Sequence, residues 1–241
     1  SNALHIWPRG GFMLIALPNM DKSFTCTLFF PLDGKVSFSS IKSYEDITIF
    51  FESYFPDTVD LIPDLIEEYN SNPIGKLATV YCDRFHFADK ALIFGDAAHA
   101  IVPFFGQGMN ASFQDCTVIN SLIKRYNGSW NDVFSEFSKI HVPNGHAIAN
   151  MALENYIEMR DSVNDPIFKK RREIEFELEK KFSNRFIPRY SMVSFHDLPY
   201  SKVYMRGETQ LKLIDGYLSK RLSRDQLYES IINDLSPIES G

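Results

Sequence analysis

The chain has 241 residues, 44% of them hydrophobic, which is enough to bury a core as one domain or two subdomains. Its net charge of −6, with 25 Lys and Arg against 31 Asp and Glu, argues against a nucleic-acid partner, because phosphate neutralisation needs a basic face. Cys26, Cys82 and Cys116 are odd in number and lack a Cys-x-x-Cys pair, so they offer no disulfide framework or zinc site and suit a reducing cytoplasm.

Ser1-Asn2-Ala3 reads as the remnant of an expression tag, after which the chain opens in mid-strand without a start methionine. That pattern predicts a fragment of a longer protein. Residues 4 to 30 alternate and turn like a β-meander: His5-Ile6-Trp7, a Gly10-Gly11 pair, Phe12 to Leu17, a Pro18-Asn19 turn, then Phe24 to Phe30. Residues 43 to 70 are expected to be helical in two pieces divided at Pro56-Asp57, with Ser43 and Asp46 as a capping pair in which Asp replaces the usual Glu. Residues 74 to 82 and 91 to 94 return to strand, and from 107 onward the pattern is helical, with breaks at Gly128, Pro166, Pro188 and Pro199. Glu173 to Glu179 alternates like a strand, but its Glu and Lys content decides for helix. Strands first and helices later define an α+β arrangement, divided into a β-rich part (4–90), a central motif (91–127) and a helical part (128–241). No apolar run approaches the roughly 20 residues of a membrane-spanning helix.

The central motif, LIFGDAAHAIVPFFGQGMNASFQDC at 92–116, combines a hydrophobic strand with small residues around one carboxylate. A strand, a small-residue turn and a helix are a common packing unit. Yet Gly95, Ala97 and Ala98 leave room for a ligand to approach the backbone while Asp96 accepts hydrogen bonds from hydroxyl groups, as a polyol or ribose would offer. Gly106 and Gly108 precede a helix expected to start near Met109, whose first N–H groups have no intrahelical partner and would stabilise negative charge on a heterocycle. Gly106 to Ala111 also imitates the dinucleotide fingerprint G-x-G-x-x-A, but Pro103 breaks the preceding run and Asp96 lies upstream rather than downstream. On the helix that follows Gly128, Asn155 interrupts an apolar stripe of Ile148, Met151, Ala152 and Met159, and a buried amide needs partners. His141 and His146 point to different helix faces with no third ligand, so no metal site is expected. Arg9 and Arg84 are expected to be solvated or paired surface charges rather than ligands.

GDAAH and PFFGQGMNA together resemble the second flavin motif of the class A FAD-dependent aromatic hydroxylases, and IVPFFGQGMNASFQDC most resembles the branch that hydroxylates kynurenine. HIWPRGGFMLIALPNMDKSFTCTLFFP, ALENYIEMRD and FIPRYSMVSF are similar to the same family, so four blocks in the same order cover most of the chain. The resemblance implies a piece of a p-hydroxybenzoate-hydroxylase-like fold, FAD as cofactor, NADPH as co-substrate, dioxygen as oxidant and kynurenine as small-molecule substrate.

Carried onto these residues, the resemblance gives Asp96 the ribityl hydroxyls of FAD and turns the Gly108-Met109-Asn110 backbone toward the pyrimidine end of the isoalloxazine. Pro103, Phe104 and Phe105 would line the meeting of flavin and substrate, and Gln107, in the Gly106-Gln107-Gly108 turn, would contact one or the other. Asn155 and Tyr190 would each donate to the substrate's carboxylate, while Ile15, Leu17 and Phe29 would form an apolar wall against its ring. The same residues also admit plainer roles: core packing for the phenylalanines and the sheet residues, a turn amide for Gln107, and a structural amide for Asn155. His99 is expected to orient a loop rather than transfer protons, and no general base is required, since the substrate's amino group already activates its ring.

The family's N-terminal βαβ unit with G-x-G-x-x-G is absent, as are the arginine and tyrosine completing its carboxylate clamp, so this chain would supply half a site. Its polar tail SRDQLYESIINDLSPIESG differs from the membrane anchor that ends some family members, which implies a soluble, cytoplasmic enzyme. Apolar surface left uncovered by the missing part would favour a homodimer. The alternatives are another flavoenzyme with GDAAH (an epoxidase, halogenase or reductase) and a non-catalytic half of the fold.

Overall fold

A computed structural model describes residues 2–161 and 165–238, which group into two compact units. One contains Ser1–Lys76 with Ile157–Asp165; the other contains Leu77–Tyr156 with Pro166–Gly241. Contact density thus divides the chain along a different line from the motif-based division at 90 and 127.

In the first unit, β1 (His5–Pro8), β2 (Met13–Pro18) and β3 (Phe24–Phe29) form an antiparallel sheet in chain order. The β1–β2 turn closes with Arg9 N–H donating to Phe12 O, and Gly10 and Gly11 sit at φ of +58° and +106°, values that side chains disfavour. The helices α1 (Tyr44–Tyr54), α2 (Pro56–Val59) and α3 (Leu65–Ser71) follow. Ser43 and Asp46 form the expected reciprocal cap on α1, satisfying N–H groups that its first turn leaves unpaired. Ile47, Phe50 and Phe51, spaced i, i+3, i+4, then join Phe12, Leu14 and Phe55 in one core. The predicted second helical piece is itself divided, between Val59 and Leu65.

The strand predicted over 74–82 does not form. Its residues are mostly exposed, and its only backbone–backbone bond among the described residues runs from Val80 N–H to Ala100 O. A strand needs a neighbour with which to exchange hydrogen bonds, and residues 74–82 have none. The strand predicted at 91–94 shrinks to β5 (Ala91–Leu92), paired antiparallel with β4 (His86–Phe87). Arg9 also departs from expectation. It is half-buried, donates to Tyr54 O and Pro8 O and lies over the Phe55 ring, so it ties the hairpin to α1.

The second unit continues with α4 (Asp96–His99), α5 (Gly108–Arg125), α6 (Trp130–Asp161, whose end from Ile157 belongs to the first unit), α7 (Pro166–Lys181), α8 (Arg189–Phe195), α9 (Tyr200–Leu218) and α10 (Arg224–Asp234). The expected breaks fall between these helices: Gly128 precedes α6, Pro166 opens α7, and Pro188 and Pro199 cap α8 and α9. Glu173 to Glu179 is helical within α7, where Ile174 and Leu178 join Phe186, Ile214, Leu227 and Ile231 in a core. A separate core of Phe85, Ala98, Leu122, Val133 and Phe137 joins the central motif to α5 and α6. Among the described residues no helix is long and apolar enough to cross a membrane.

Candidate functional site

The site begins at the turn after β5. Gly95 adopts φ +59° and ψ −146°, and a Cβ there would lie 3.2 Å from Ser112 Oγ, so glycine is required both by the backbone and by the approach of α5. Asp96, next in sequence, is exposed and has no hydrogen-bond partner among the described residues. Its acceptors are open to a ligand.

What holds this turn is a second carboxylate. Asp115 lies on the inward stripe of α5, between buried Ala111 and Leu122 and beside half-buried Val118, and is only 1% exposed. Its Oδ2 accepts from Gly95 N–H at 2.7 Å and lies 2.6 Å from His99 Nε2. His141 Nδ1, from α6, lies 2.8 Å from Oδ1. Burial acts to raise the Asp115 carboxyl, but His141, His99 and the Gly95 N–H outweigh it and hold the group well below the usual carboxylate range. Gly145 makes room for this arrangement, since a Cβ there would lie 3.0 Å from His99 Cβ and 3.3 Å from Phe85 Cζ. The space beside the cluster is about 10 Å3, on the order of one water, so no substrate reaches it. Asp115 is an anchor for the turn that presents Asp96.

The loop between α4 and α5 is a 3₁₀ turn, Pro103–Phe105, ended by Gly106 at φ +65°, a left-handed conformation beside open space. Three helices grip it. From α6, Asn155 donates through Nδ2 to Phe104 O at 2.6 Å, and Tyr156 stacks on the Phe104 ring with centroids 4.4 Å apart. From α8, Tyr190 stacks on Phe105 at 5.5 Å. From α9, Tyr200 donates its hydroxyl to Gln107 Oε1 at 3.1 Å, and Asn110 Nδ2 donates to the same oxygen at 3.2 Å. Burial pushes the Tyr200 hydroxyl up, and the Asp115 charge adds to it. Tyr190 nevertheless remains about half exposed, and Pro103, Met109 and Asn110 are exposed too.

The helix that follows opens at Gly108 with no side-chain cap and no acidic residue in its first turn. Its leading N–H groups therefore present the positive end of an 18-residue helix near the exposed carboxylate turn. A hydroxyl-rich chain ending in an electron-rich heterocycle fits this pair of features, an acceptor at Asp96 and donors at Gly108 to Asn110.

Ile15, Leu17 and Phe29 belong to the first unit. The register pairs Met13 with Phe29, Ile15 with Thr27 and Leu17 with Thr25, so the three predicted residues share one face of the sheet, opposite Leu14 and its helix-covered core. An open groove of about 730 Å3 along α1 and α3, lined by Tyr44, Val59, Ile62 and Leu65, contains none of the predicted residues. Among the described residues no cluster of His, Cys, Asp and Glu could hold a metal ion.

Sequence reasoning missed Asp115, Tyr156 and Tyr200. Asp115 carried a usable signal, a carboxylate on an otherwise apolar helical stripe, with His99 expected to orient a loop and so in need of a partner. The aromatic residues carried none, because nothing local distinguishes Tyr156 or Tyr200 from ordinary core.

Residues 62–133 match the model of an FAD binding domain, a span that contains Asp96, the loop and the whole of α5, the helix that carries Asp115. Over that span the chain is similar to the class of proteins with an FAD binding domain. More particularly, the chain is similar to kynurenine 3-monooxygenases: it is 49% identical to that of Myxococcus xanthus over 219 residues, 91% of this chain and 46% of that protein. It is 47% identical to that of Dictyostelium discoideum over 96% of this chain and 55% of that protein, and 44% identical to that of Sus scrofa over 90% and 46%. The chain spans about half the length of the relatives it matches.

Proposed function

We propose that the complete protein is an FAD-dependent monooxygenase that converts kynurenine, NADPH, O2 and a proton to 3-hydroxykynurenine, NADP+ and water, on a p-hydroxybenzoate-hydroxylase-like fold of which this chain is one part. The observation that carries the reading is the exposed Asp96 on a rigidly anchored turn, beside an uncapped helix N-terminus and a loop gripped by Asn155 and Tyr190. When bound, FAD supplies the redox chemistry that oxidises NADPH and activates dioxygen. The chain's own residues bind and orient. Asp96 accepts hydrogen bonds from the ribityl hydroxyls, and the N–H groups of Gly108, Met109 and Asn110 stabilise negative charge at the pyrimidine end of the ring. Pro103, Phe104 and Phe105 exclude water at the flavin edge, and Gln107, fixed by Tyr200, sets the path of the loop. Asn155 and Tyr190 direct polar groups to the amino-acid carboxylate of the substrate.

The isolated chain is a different matter. It contains no glycine-rich turn for the pyrophosphate of FAD, and Ile93, Phe94, Met109 and Phe113 are exposed. Alone it is expected to be colourless, inactive and prone to self-association through these apolar residues.

NADPH oxidation by the complete protein, followed with and without kynurenine, tests the function. Faster oxidation with kynurenine, accompanied by 3-hydroxykynurenine, supports it. Oxidation indifferent to kynurenine would favour another flavoenzyme, and no flavin at all would favour a non-catalytic protein.

A further inference from the structure

We infer that Arg189 and Glu154 are positioning residues that set the spacing between Asn155 and Tyr190, and with it the fit of an amino-acid carboxylate; this rests on the substrate roles proposed above for those two neighbours. Glu154 directly precedes Asn155 on α6, and Arg189 directly precedes Tyr190 at the start of α8. Arg189 Nη1 donates to Glu154 Oε2 at 2.5 Å, so one ion pair joins the two helices at the residues next to the ligand candidates.

Consecutive helical residues point about 100° apart. One helix can therefore use Glu154 to hold Arg189 while Asn155 reaches the Phe104 carbonyl. In the same way α8 uses Arg189 for the clamp and Tyr190 for the Phe105 ring. The third wall of the clamp is α9. Tyr204 donates to Glu154 Oε1 at 3.0 Å, Glu208 Oε1 lies 3.8 Å from Arg189, and Gly207 provides a notch for the arginine stem: a Cβ there would lie 2.8 Å from Arg189 Cδ. The approach to α8 is fixed on the same helix, where buried Gln210 donates to Ile187 O.

Stability alone is a poor account of this arrangement. The Arg189 and Glu154 side chains are 22% and 37% exposed, and ion pairs that wet contribute little to folding. What the clamp does is geometric. It fixes the separation of two backbone positions whose side chains must reach one small ligand group, and a misplacement of about 1 Å weakens such binding strongly.

The test uses the complete protein and steady-state kinetics with kynurenine. Arg189→Met is expected to raise the kynurenine KM roughly tenfold, with flavin content and kcat at saturating kynurenine within about twofold of the parent. Arg189→Lys, which keeps the charge and one donor, should recover most of that loss. Gly207→Ala, which crowds the arginine stem without altering any charge, should raise KM in the same direction and decides the matter if Arg189→Met does not fold. In a Tyr190→Phe background, Arg189→Met should add less than about twofold, because the group it positions is already gone. An unchanged KM in Arg189→Met and Gly207→Ala, while Asn155→Ala and Tyr190→Phe raise it, overturns the clamp and leaves the proposed function standing; full additivity with Tyr190→Phe does the same. If Asn155→Ala and Tyr190→Phe also leave KM unchanged, the substrate reading fails and the clamp fails with it.

Discussion

Two aspartates of one motif have opposite surroundings. Asp96 is exposed, without a hydrogen-bond partner among the described residues, on a turn of small side chains; Asp115 is 1% exposed and faces Gly95 N–H, His99 and His141. The buried one fixes the backbone from which the exposed one projects. The residue proposed to bind a ligand stays open to it because another, out of the ligand's reach, holds the glycine turn. The contrast separates residues whose loss should damage the fold from those whose loss should damage only binding.

Asp115→Ala should break the comparison most severely. It leaves buried His99 and the Gly95 N–H without their acceptor and removes the carboxylate beside His141; unsatisfied buried groups cost about 1–3 kcal/mol each, so a loss of roughly 2–6 kcal/mol should be measurable as a fall in the urea midpoint of this chain. The same carboxylate predicts an acid dependence. Its folded pKa lies below the ordinary value of about 3.9, so its stabilisation is present above that pH and is lost as pH falls toward the depressed folded value. Parent stability should therefore drop more steeply below about pH 4 than that of Asp115→Asn, which has no such carboxylate to protonate. Gly145→Ala sharpens the comparison at smaller scale. A Cβ 3.0 Å from His99 Cβ crowds the histidine that faces the carboxylate and forces a shift of its side chain, at about 1–3 kcal/mol, also read from denaturant unfolding. Asp96→Ala should do least to the fold, within about 0.5 kcal/mol of the parent, because no internal contact is lost.

Much of the architecture was legible from local signals. The Gly10-Gly11 hairpin, the Ser43–Asp46 cap and the prolines at the starts of α7, α8 and α9 act within a few residues, and each appears where the sequence places it. The failures need distant partners. Residues 74–82 have residue types that suit a strand but no neighbouring strand, and Arg9 reads as a surface charge until the fold brings Tyr54 O within reach. The site divides in the same way. Asp96 and the glycines around the loop could be read from residue type, whereas the grip of Tyr156, Tyr190 and Tyr200 on residues 104–107 depends on which helix faces pack together.

The central claim is that Asp96 serves a bound flavin and not the fold. It is tested most directly by the flavin retained per protein after gel filtration of the complete protein, parent against Asp96→Ala. Hydrogen bonds to a charged acceptor contribute about 1.5–3 kcal/mol, so the variant should hold FAD at least about tenfold more weakly and emerge largely colourless, with its urea midpoint unchanged. A variant that keeps its full complement of flavin would contradict the account.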